Sequence, residues 1–175
     1  IEHHAILNSM KELEGQGFEV TYLQPDSQGR VSVDDLNAAL RKDTILVSIM
    51  MVNNEVGSVM PISQMAKLTH RLCPDAIFHT DAVQGFLKVP FQAKSLGADL
   101  ISVSSHKIHG PKGAGALYIS PRLRSFPALL LGGGQEGGYR SGTEGTPAIF
   151  GFAAACAAVS ATFQEDFPRE RALIG

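Results

Sequence analysis

Residues 104–113 read SSHKIHGPKG, which places a histidine and a lysine between an apolar segment and a glycine-rich turn. A lysine amine forms a Schiff base with an aldehyde, while hydroxyl groups and a histidine bind phosphate. A solvated loop lysine is the simpler interpretation of Lys107. The other polar residues of the chain must decide between the two.

Two more apolar segments end in polar residues that suit a ligand. TILVSIMMV runs into Asn53, Asn54 and Glu55, and AIFHT runs into Asp81, with Gln84 one short turn later. In open α/β sheets, ligands bind beyond the carboxyl ends of the strands. Three such groups at equivalent positions favour one shared site.

These groups fit the needs of pyridoxal 5′-phosphate (PLP). An aspartate beneath a pyridine ring keeps the ring nitrogen protonated, and a lysine holds the aldehyde. Lys107 and Asp81 are the candidates for these two roles. The remaining candidates are Gln84 for the ring oxygen, Ser104 and His106 for the phosphate, and His3 for the ring face.

Strand and helix patterns alternate along the chain and must position these residues. HHAILNSMKELEG and ISQMAKLTHRLC have helical spacing, and Ser32 with Asp35 resembles a capping box that opens a short helix. FEVTYL, TILVSIMMV, AIFHTDA, DLISVSS and AGALYIS have strand patterns. The alternation predicts an α/β fold with a mainly parallel sheet and helices on both faces.

The composition is that of an ordinary soluble domain. Of 175 residues, 44% are hydrophobic and 18% charged, with a formal net charge of −2, so we expect neither a nucleic acid nor a membrane as partner. The apolar stretch PAIFGFAAACAAVSATF is shorter than the roughly 20 residues of a spanning helix, and we expect a buried Ala-rich helix there. No signal-peptide pattern is visible, and the two distant cysteines indicate neither a disulfide framework nor a zinc site, so a reducing cytoplasm is expected.

Several stretches resemble cysteine desulfurases, which belong to the class V aminotransferase group of PLP-dependent enzymes. They are EHHAIL, ILVSIMMVNNEVG, HTDAVQ, SVSSHKIHGPKGAGALYIS and GGGQEGGYRSGTEGTP, in the family's order over nearly the whole chain. SSHKIHGPKG and GGGQEGGYRSGTEGTP are the most specific of them. The resemblance implies the large domain of a fold-type I PLP enzyme.

The resemblance also implies a role for each matching residue. Lys107 would hold the cofactor aldehyde and then act as acid and base on the substrate carbon. Asn54 would lie near the ring oxygen and the substrate carboxylate, and Thr143 would reach the phosphate of the neighbouring subunit in a homodimer. The roles given above are the same for the other matching residues, which are Asp81, Gln84, Ser104, His106 and His3. Arg140 would make dimer or cofactor contacts.

In the family's reaction, L-cysteine becomes L-alanine and its sulfur passes to an enzyme cysteine. The resemblance implies that this nucleophile lies on a loop beyond RSGT, outside this segment. Cys156, in the Ala-rich stretch, and Cys73, next to Pro74 at a helix end, are poor substitutes for it. Residues 1–175 are expected to form the central part of the large PLP domain, without an N-terminal segment and the small C-terminal domain. Such a segment is expected to be inactive alone. A sulfur-acceptor scaffold protein is the expected partner if the protein serves iron-sulfur cluster assembly.

Other interpretations stay open. Selenocysteine lyase and cysteine sulfinate-type lyase share the fold, a non-catalytic PLP-fold chain would act as a dimerising scaffold, and a nucleotide-binding α/β protein would use LGGGQEGGYRSG. The last lacks the Lys-Ser/Thr ending of a P-loop. His3 and His4 have no further ligand at metal spacing, so no metal is expected. His70, His79 and His109 are interpreted as structural, with His79 close enough to Asp81 in sequence to shape its surroundings.

Overall fold

The computed structural model describes residues 1–123 and 125–174. Helices and strands alternate in it, as the sequence predicts. In chain order the elements are α1 (His4–Gly15), α2 (Val33–Ala39), β1 (Leu46–Ser48), α3 (Ile62–Leu72), β2 (Ile77–Asp81), α4 (Ala93–Leu96), β3 (Leu100–Ser104), a 3₁₀ turn (Ser105–Ile108), β4 (Gly115–Ile119), a second 3₁₀ turn (Gln135–Gly138) and α5 (Thr146–Ile174).

The described strands form one sheet in the order β1-β2-β3-β4. β1, β2 and β3 run parallel, and β4 pairs antiparallel with β3. The prediction of a mainly parallel sheet is therefore confirmed. Because β1, β2 and β3 point the same way, their carboxyl ends lie at one edge of the sheet.

The main core lies between one face of this sheet and three helices. Val47, Phe78 and Ile101 point to that face and pack with residues of α2, α3 and α4. Phe78 and Met65 of α3 are fully buried. Residues of opposite parity, among them Ser48, His79 and Ser102, lie on the other face and are half-buried.

The start of α2 follows the sequence signal closely. Ser32 is the N-cap, its Oγ accepts a hydrogen bond from the Asp35 N–H, and the Asp35 carboxylate accepts one from the Ser32 N–H. This is the reciprocal capping box that the Ser-x-x-Asp spacing predicts.

The prediction of a strand over FEVTYL is wrong. Residues 18–23 belong to no strand and make no ladder hydrogen bonds with the sheet. A cavity of about 920 Å³ lies between this segment and β1, so no neighbouring backbone is within pairing distance. Phe18 is consequently 48% exposed. β1 is also shorter than its apolar run, and Val52 beyond it makes a single bridge with Val59.

The prediction of a buried Ala-rich helix is also wrong. Residues Thr146–Phe163 of α5 have a mean hydropathy of 1.6, and none of that stretch is buried. Its contacts include Gly151 against Pro111 and an edge contact between Phe152 and Phe86. Among the described residues, this is the one helix that is long and apolar enough to cross a membrane, a length and composition that core helices of soluble proteins also have.

Candidate active site

The carboxyl end of β2 presents a carboxylate with unused hydrogen-bonding capacity. Asp81 is the last residue of β2 and is 9% exposed. Its Oδ1 accepts a hydrogen bond of 2.9 Å from the Val83 N–H. No donor reaches its Oδ2 within the described residues. This oxygen is therefore available to accept a hydrogen bond from a ligand donor.

The next strand end carries the residues of the SSHK run. β3 ends at Ser104, whose Oγ lies 2.7 Å from Nδ1 of His106. The fully buried Ser105 anchors the following 3₁₀ turn, since its N–H donates to the Ala114 carbonyl at 3.1 Å. Lys107 is half-buried in this turn and has no hydrogen-bond partner among the described residues.

The turn depends on a glycine close to Ser105. A Cβ at Gly110 would lie 2.1 Å from the Ser105 Oγ, so a larger residue there would displace the turn that holds Lys107. This explains part of the glycine pattern in HGPKG. The Ser105 hydroxyl itself is buried without a hydrogen-bond partner.

Backbone hydrogen bonds bring the strand ends together. The Met51 N–H donates to the Asp81 carbonyl at 2.8 Å, and the Ala82 N–H donates to the Ser102 carbonyl at 2.9 Å. Asp81 pairs with Ser102 in the β2–β3 ladder, two residues before Ser104. The structure therefore places Asp81 and the Ser104–Lys107 run at the same edge of the sheet.

The start of α1 reaches this edge through Glu2. The Glu2 Oε1 accepts a 2.7 Å hydrogen bond from the Met50 N–H, just beyond β1, while its Oε2 is buried without a partner. Burial raises the pKa of Glu2 to about 7; the Met50 hydrogen bond opposes this shift, and the Asp81 charge adds to it. The sequence analysis missed Glu2, although its position before the His-His pair was a signal.

His3 caps α1 beside Glu2. Its Nδ1 accepts a hydrogen bond of 3.1 Å from the Ala5 N–H, and the ring is exposed. The cap fixes the ring at the helix start and leaves its faces open to a neighbour.

Of the two adjacent asparagines, Asn53 has the structural role. It is 6% exposed, its Nδ2 donates to the Ile1 carbonyl at 2.8 Å, and its Oδ1 accepts from the N–H groups of Glu55 and Val56. Asn54 is exposed, as a ligand-binding residue at a turn can be. Sequence reasoning alone missed that Asn53 closes this turn.

Gln84 lies in the turn after β2 and is already engaged through one atom. Its Oε1 accepts a hydrogen bond of 3.3 Å from Lys88 Nζ, which leaves the amide N–H₂ as its donor group. The next residue, Gly85, packs so closely that a Cβ would lie 2.5 Å from the Met51 sulfur. Gln84 is thus fixed near the strand ends by backbone packing.

Thr143 does not lie with the candidate residues at the strand ends. It lies exposed in the glycine-rich loop, whose hydrogen bonds are internal: Ser141 Oγ donates to the Gly133 carbonyl, and Arg140 to the Ser141 carbonyl. The structure places neither Thr143 nor Arg140 in hydrogen-bond contact with the strand-end residues.

Neither cysteine has the environment of an activated thiol. Cys73 is buried, and its Sγ donates to the Arg41 carbonyl at 3.0 Å. Burial raises the pKa of Cys156, which keeps its thiol protonated.

The candidate site is an open edge and not an enclosed cavity. The cavity beside β1 is lined mainly by apolar side chains of α1, α2 and residues 18–25; Glu2 also lines it, but Asp81 does not. A second cavity of about 590 Å³ lies between Lys107 and α5. Polar groups mark the site: a carboxylate, an amine and hydroxyl groups lie at or just beyond the carboxyl ends of β2 and β3.

The donor set fits the cofactor that the sequence analysis expects. Asp81 Oδ2 is a free acceptor for a ring N–H, Lys107 is an amine without a partner, and Ser104 with His106 presents donors for a phosphate. Within the described residues, no group of three His, Cys, Asp or Glu side chains has the arrangement of a metal site.

Comparison with known proteins gives one consistent family. The model of the family described as aminotransferase class-V matches residues 1–173. The cysteine desulfurase IscS of Methanosarcina thermophila is 48% identical over 165 residues, which cover 94% of this chain and 40% of that protein. The mitochondrial cysteine desulfurase of Candida albicans is 48% identical over 86% of this chain and 31% of its own length.

Solved structures agree in fold. A NifS-like protein superposes with a TM-score of 0.89 at 42% identity, covering 94% of this chain and 45% of the other. SspA in complex with cysteine gives a TM-score of 0.85 at 42% identity, covering 90% and 45%. This chain therefore spans less than half the length of the relatives named here.

Proposed function

This chain belongs to the aminotransferase class-V family, and from that premise we propose that it is the cofactor-holding part of a PLP-dependent cysteine desulfurase. The relatives named cysteine desulfurase and the neighbour solved with cysteine support this proposal. The substrate would be L-cysteine, and the products alanine and a sulfur atom passed to a cysteine thiolate. We propose that residues 1–175 correspond to the central part of the large domain.

One observation carries the proposal. The free Oδ2 of Asp81 and the unpartnered amine of Lys107 lie beyond the ends of adjacent parallel strands. A solvated loop lysine needs no half-buried position at the end of the strand next to that of Asp81, whereas a cofactor that bonds to both residues needs this arrangement.

When bound, PLP supplies an aldehyde for an amine and a ring that withdraws electrons from the substrate carbon. Lys107 provides the amine and afterwards moves a proton at that carbon. Asp81 keeps a proton on the ring nitrogen through its free Oδ2.

The other candidate residues would bind and orient the cofactor. The Ser104 hydroxyl and the His106 ring bind the phosphate, and their 2.7 Å contact fixes the two side chains relative to each other. The Gln84 amide would donate to the ring oxygen, His3 would cover one ring face, and Asn54 would bind near the ring oxygen and the substrate carboxylate.

The sulfur-accepting cysteine is proposed to lie outside these 175 residues, since Cys73 and Cys156 are held as ordinary thiols. A homodimer in which Thr143 reaches the partner's cofactor phosphate accounts for the distance of that residue from the strand ends. A sulfur-acceptor scaffold protein and a cytoplasmic location complete the proposal. Because the Candida albicans relative is named as mitochondrial, imaging of the full protein in cells is the test of the proposed location.

The decisive experiment traps the cofactor on its lysine. The full protein is reduced with borohydride in the presence of PLP, and the modified peptide is identified by mass spectrometry. We expect one adduct, on Lys107, and none in Lys107→Ala.

Lys112→Ala is the matched control, because Lys112 lies five residues later in the same loop and is exposed. It should retain the adduct. A full-length protein that binds no PLP under saturation contradicts the enzyme and favours a scaffold of the same fold. Release of selenium or sulfite in preference to sulfur would move the substrate to selenocysteine or a sulfinate.

A further inference from the structure

His79 lies on the same face of β2 as Asp81 and has a fixed position there. Strand side chains alternate, so residues two apart point to one side. Its Nδ1 is 2.8 Å from the Ser48 Oγ of β1, and its Nε2 is 2.9 Å from the Ser102 Oγ of β3. Both ring nitrogens are therefore bound, and the ring bridges three strands.

The two serines connect this bridge to the candidate site. Ser48 pairs directly with His79 in the β1–β2 ladder, and Ser102 pairs directly with Asp81 in the β2–β3 ladder. Ser102 is thus both a hydrogen-bond partner of His79 and the cross-strand neighbour of Asp81. A shift of the imidazole would disturb the backbone pair that holds Asp81.

We propose that His79 is a positioning residue for Asp81, which keeps that carboxylate oriented and free of a competing cation so that it binds a protonated ring nitrogen. The inference rests on the proposed function, because it concerns the ligand that Asp81 holds. A hydroxyl both donates and accepts, so either neutral tautomer of His79 satisfies both serines.

The electrostatic surroundings agree with a neutral imidazole. Burial lowers the pKa of His79 below its ordinary 6.5, and the Asp81 charge opposes this shift. β1 and β3 add no ionisable side chain next to the ring, since their residues are LVS and LISVS. Glu2 is the other acid near this edge, and the Asp81 charge adds to the rise of the Glu2 pKa. Acidification adds a positive charge to His79 beside Asp81, which weakens the hold of Asp81 on the ring proton.

The test follows the absorbance of PLP bound to the full protein while the pH falls through 6.5. The parent protein should show an acid-side change as His79 gains its proton. His79→Gln cannot gain one, and we expect it to lose this change while its PLP adduct stays on Lys107. We expect Ser48→Ala to move the change to lower pH by on the order of one unit, because charged donors need both acceptors more than neutral ones do.

Ser48→Thr restores the hydroxyl and should return the profile to that of the parent. Ser95→Ala, an exposed serine of α4, is the matched control and should not move it. If His79→Gln fails to fold, the comparison of Ser48→Ala with Ser48→Thr tests the inference. A parent without the acid-side change, or His79→Gln and Ser48→Ala profiles identical to the parent's, would overturn the inference and leave the Lys107 adduct intact. Absence of that adduct in the parent overturns the proposed function and this inference together.

Discussion

The two ends of the same strands hold buried carboxylates in opposite conditions. Asp99, just before β3, is 1% exposed and accepts hydrogen bonds from Arg122, from the Phe78 N–H and from His70. Asp81, at the other end of β2, is 9% exposed and accepts one, from the Val83 N–H. Both carboxylates are buried, but Asp99 accepts more hydrogen bonds than Asp81 does.

The difference in hydrogen bonding indicates a structural role for Asp99 and a ligand-binding role for Asp81. Burial pushes the pKa of Asp99 up, but the hydrogen bonds from Arg122, Phe78 and His70 outweigh it and hold that pKa below its usual value. Arg122 also donates to the Pro74 and Ala76 carbonyls and so ties β4's exit to the start of β2. A fully satisfied carboxylate stabilises the fold, whereas a partly satisfied one keeps capacity for a ligand.

The largest effect on stability should come from Asp99→Ala. The substitution leaves the Phe78 N–H buried without an acceptor and removes the only carboxylate that Arg122 binds among the described residues, and we expect a loss of about 3 kcal/mol in the free energy of unfolding. Urea unfolding of the full protein measures it. The control is Asp43→Ala, because Asp43 forms an exposed pair with Arg41 and such pairs contribute little to stability. Equal effects of the two variants would contradict the assignment of Asp99 as a structural anchor.

Glu2 should give a smaller, pH-dependent effect. Its folded pKa of about 7 exceeds the ordinary 4.5, so the stability from its protonated form is present below 4.5 and is lost as the pH rises through 7. Glu2→Gln keeps an acceptor for the Met50 N–H and removes the titration. We therefore expect the stability of the variant relative to that of the parent to rise as the pH increases from 4.5 to 7.

Unfolding curves of parent and variant across that pH range measure this difference directly. Glu12→Gln is the control, since Glu12 is an exposed acid of α1 and should change little. A constant difference between Glu2→Gln and the parent would show that the Glu2 carboxyl is solvated in the folded protein.

The sequence predicted the elements well where the signal was local. The Ser32 capping box and the three apolar strands each depend on neighbours within a few residues, and all are present. FEVTYL failed because strand formation needs a second backbone, which no local pattern reports. The predicted burial of the Ala-rich helix failed for the same reason, because composition indicates an apolar surface but not what covers it.

For the site, strand-end logic placed Asp81 and Lys107 at one edge, and the register agrees with that placement. Asp99 and Arg122 were missed, because an acid before a strand and an arginine after one look like ordinary loop residues. Their partnership joins positions 23 residues apart. The serines that hold His79 were missed similarly, since a cross-strand bridge depends on register.

The smallest stability effect should come from Asp81→Asn, and it tests the comparison most sharply. The amide oxygen still accepts from the Val83 N–H, and Glu2 loses a neighbouring like charge. We therefore expect the free energy of unfolding without PLP to change by less than about 1 kcal/mol. PLP binding, followed by absorbance titration of the same samples, should weaken strongly because the ring nitrogen loses its ionic partner. Asp99→Asn should do the reverse, lowering stability while the surviving folded protein binds PLP as the parent does. If Asp81→Asn instead unfolds the protein as Asp99→Asn does, the two carboxylates are both structural, and the free Oδ2 of Asp81 has no functional meaning.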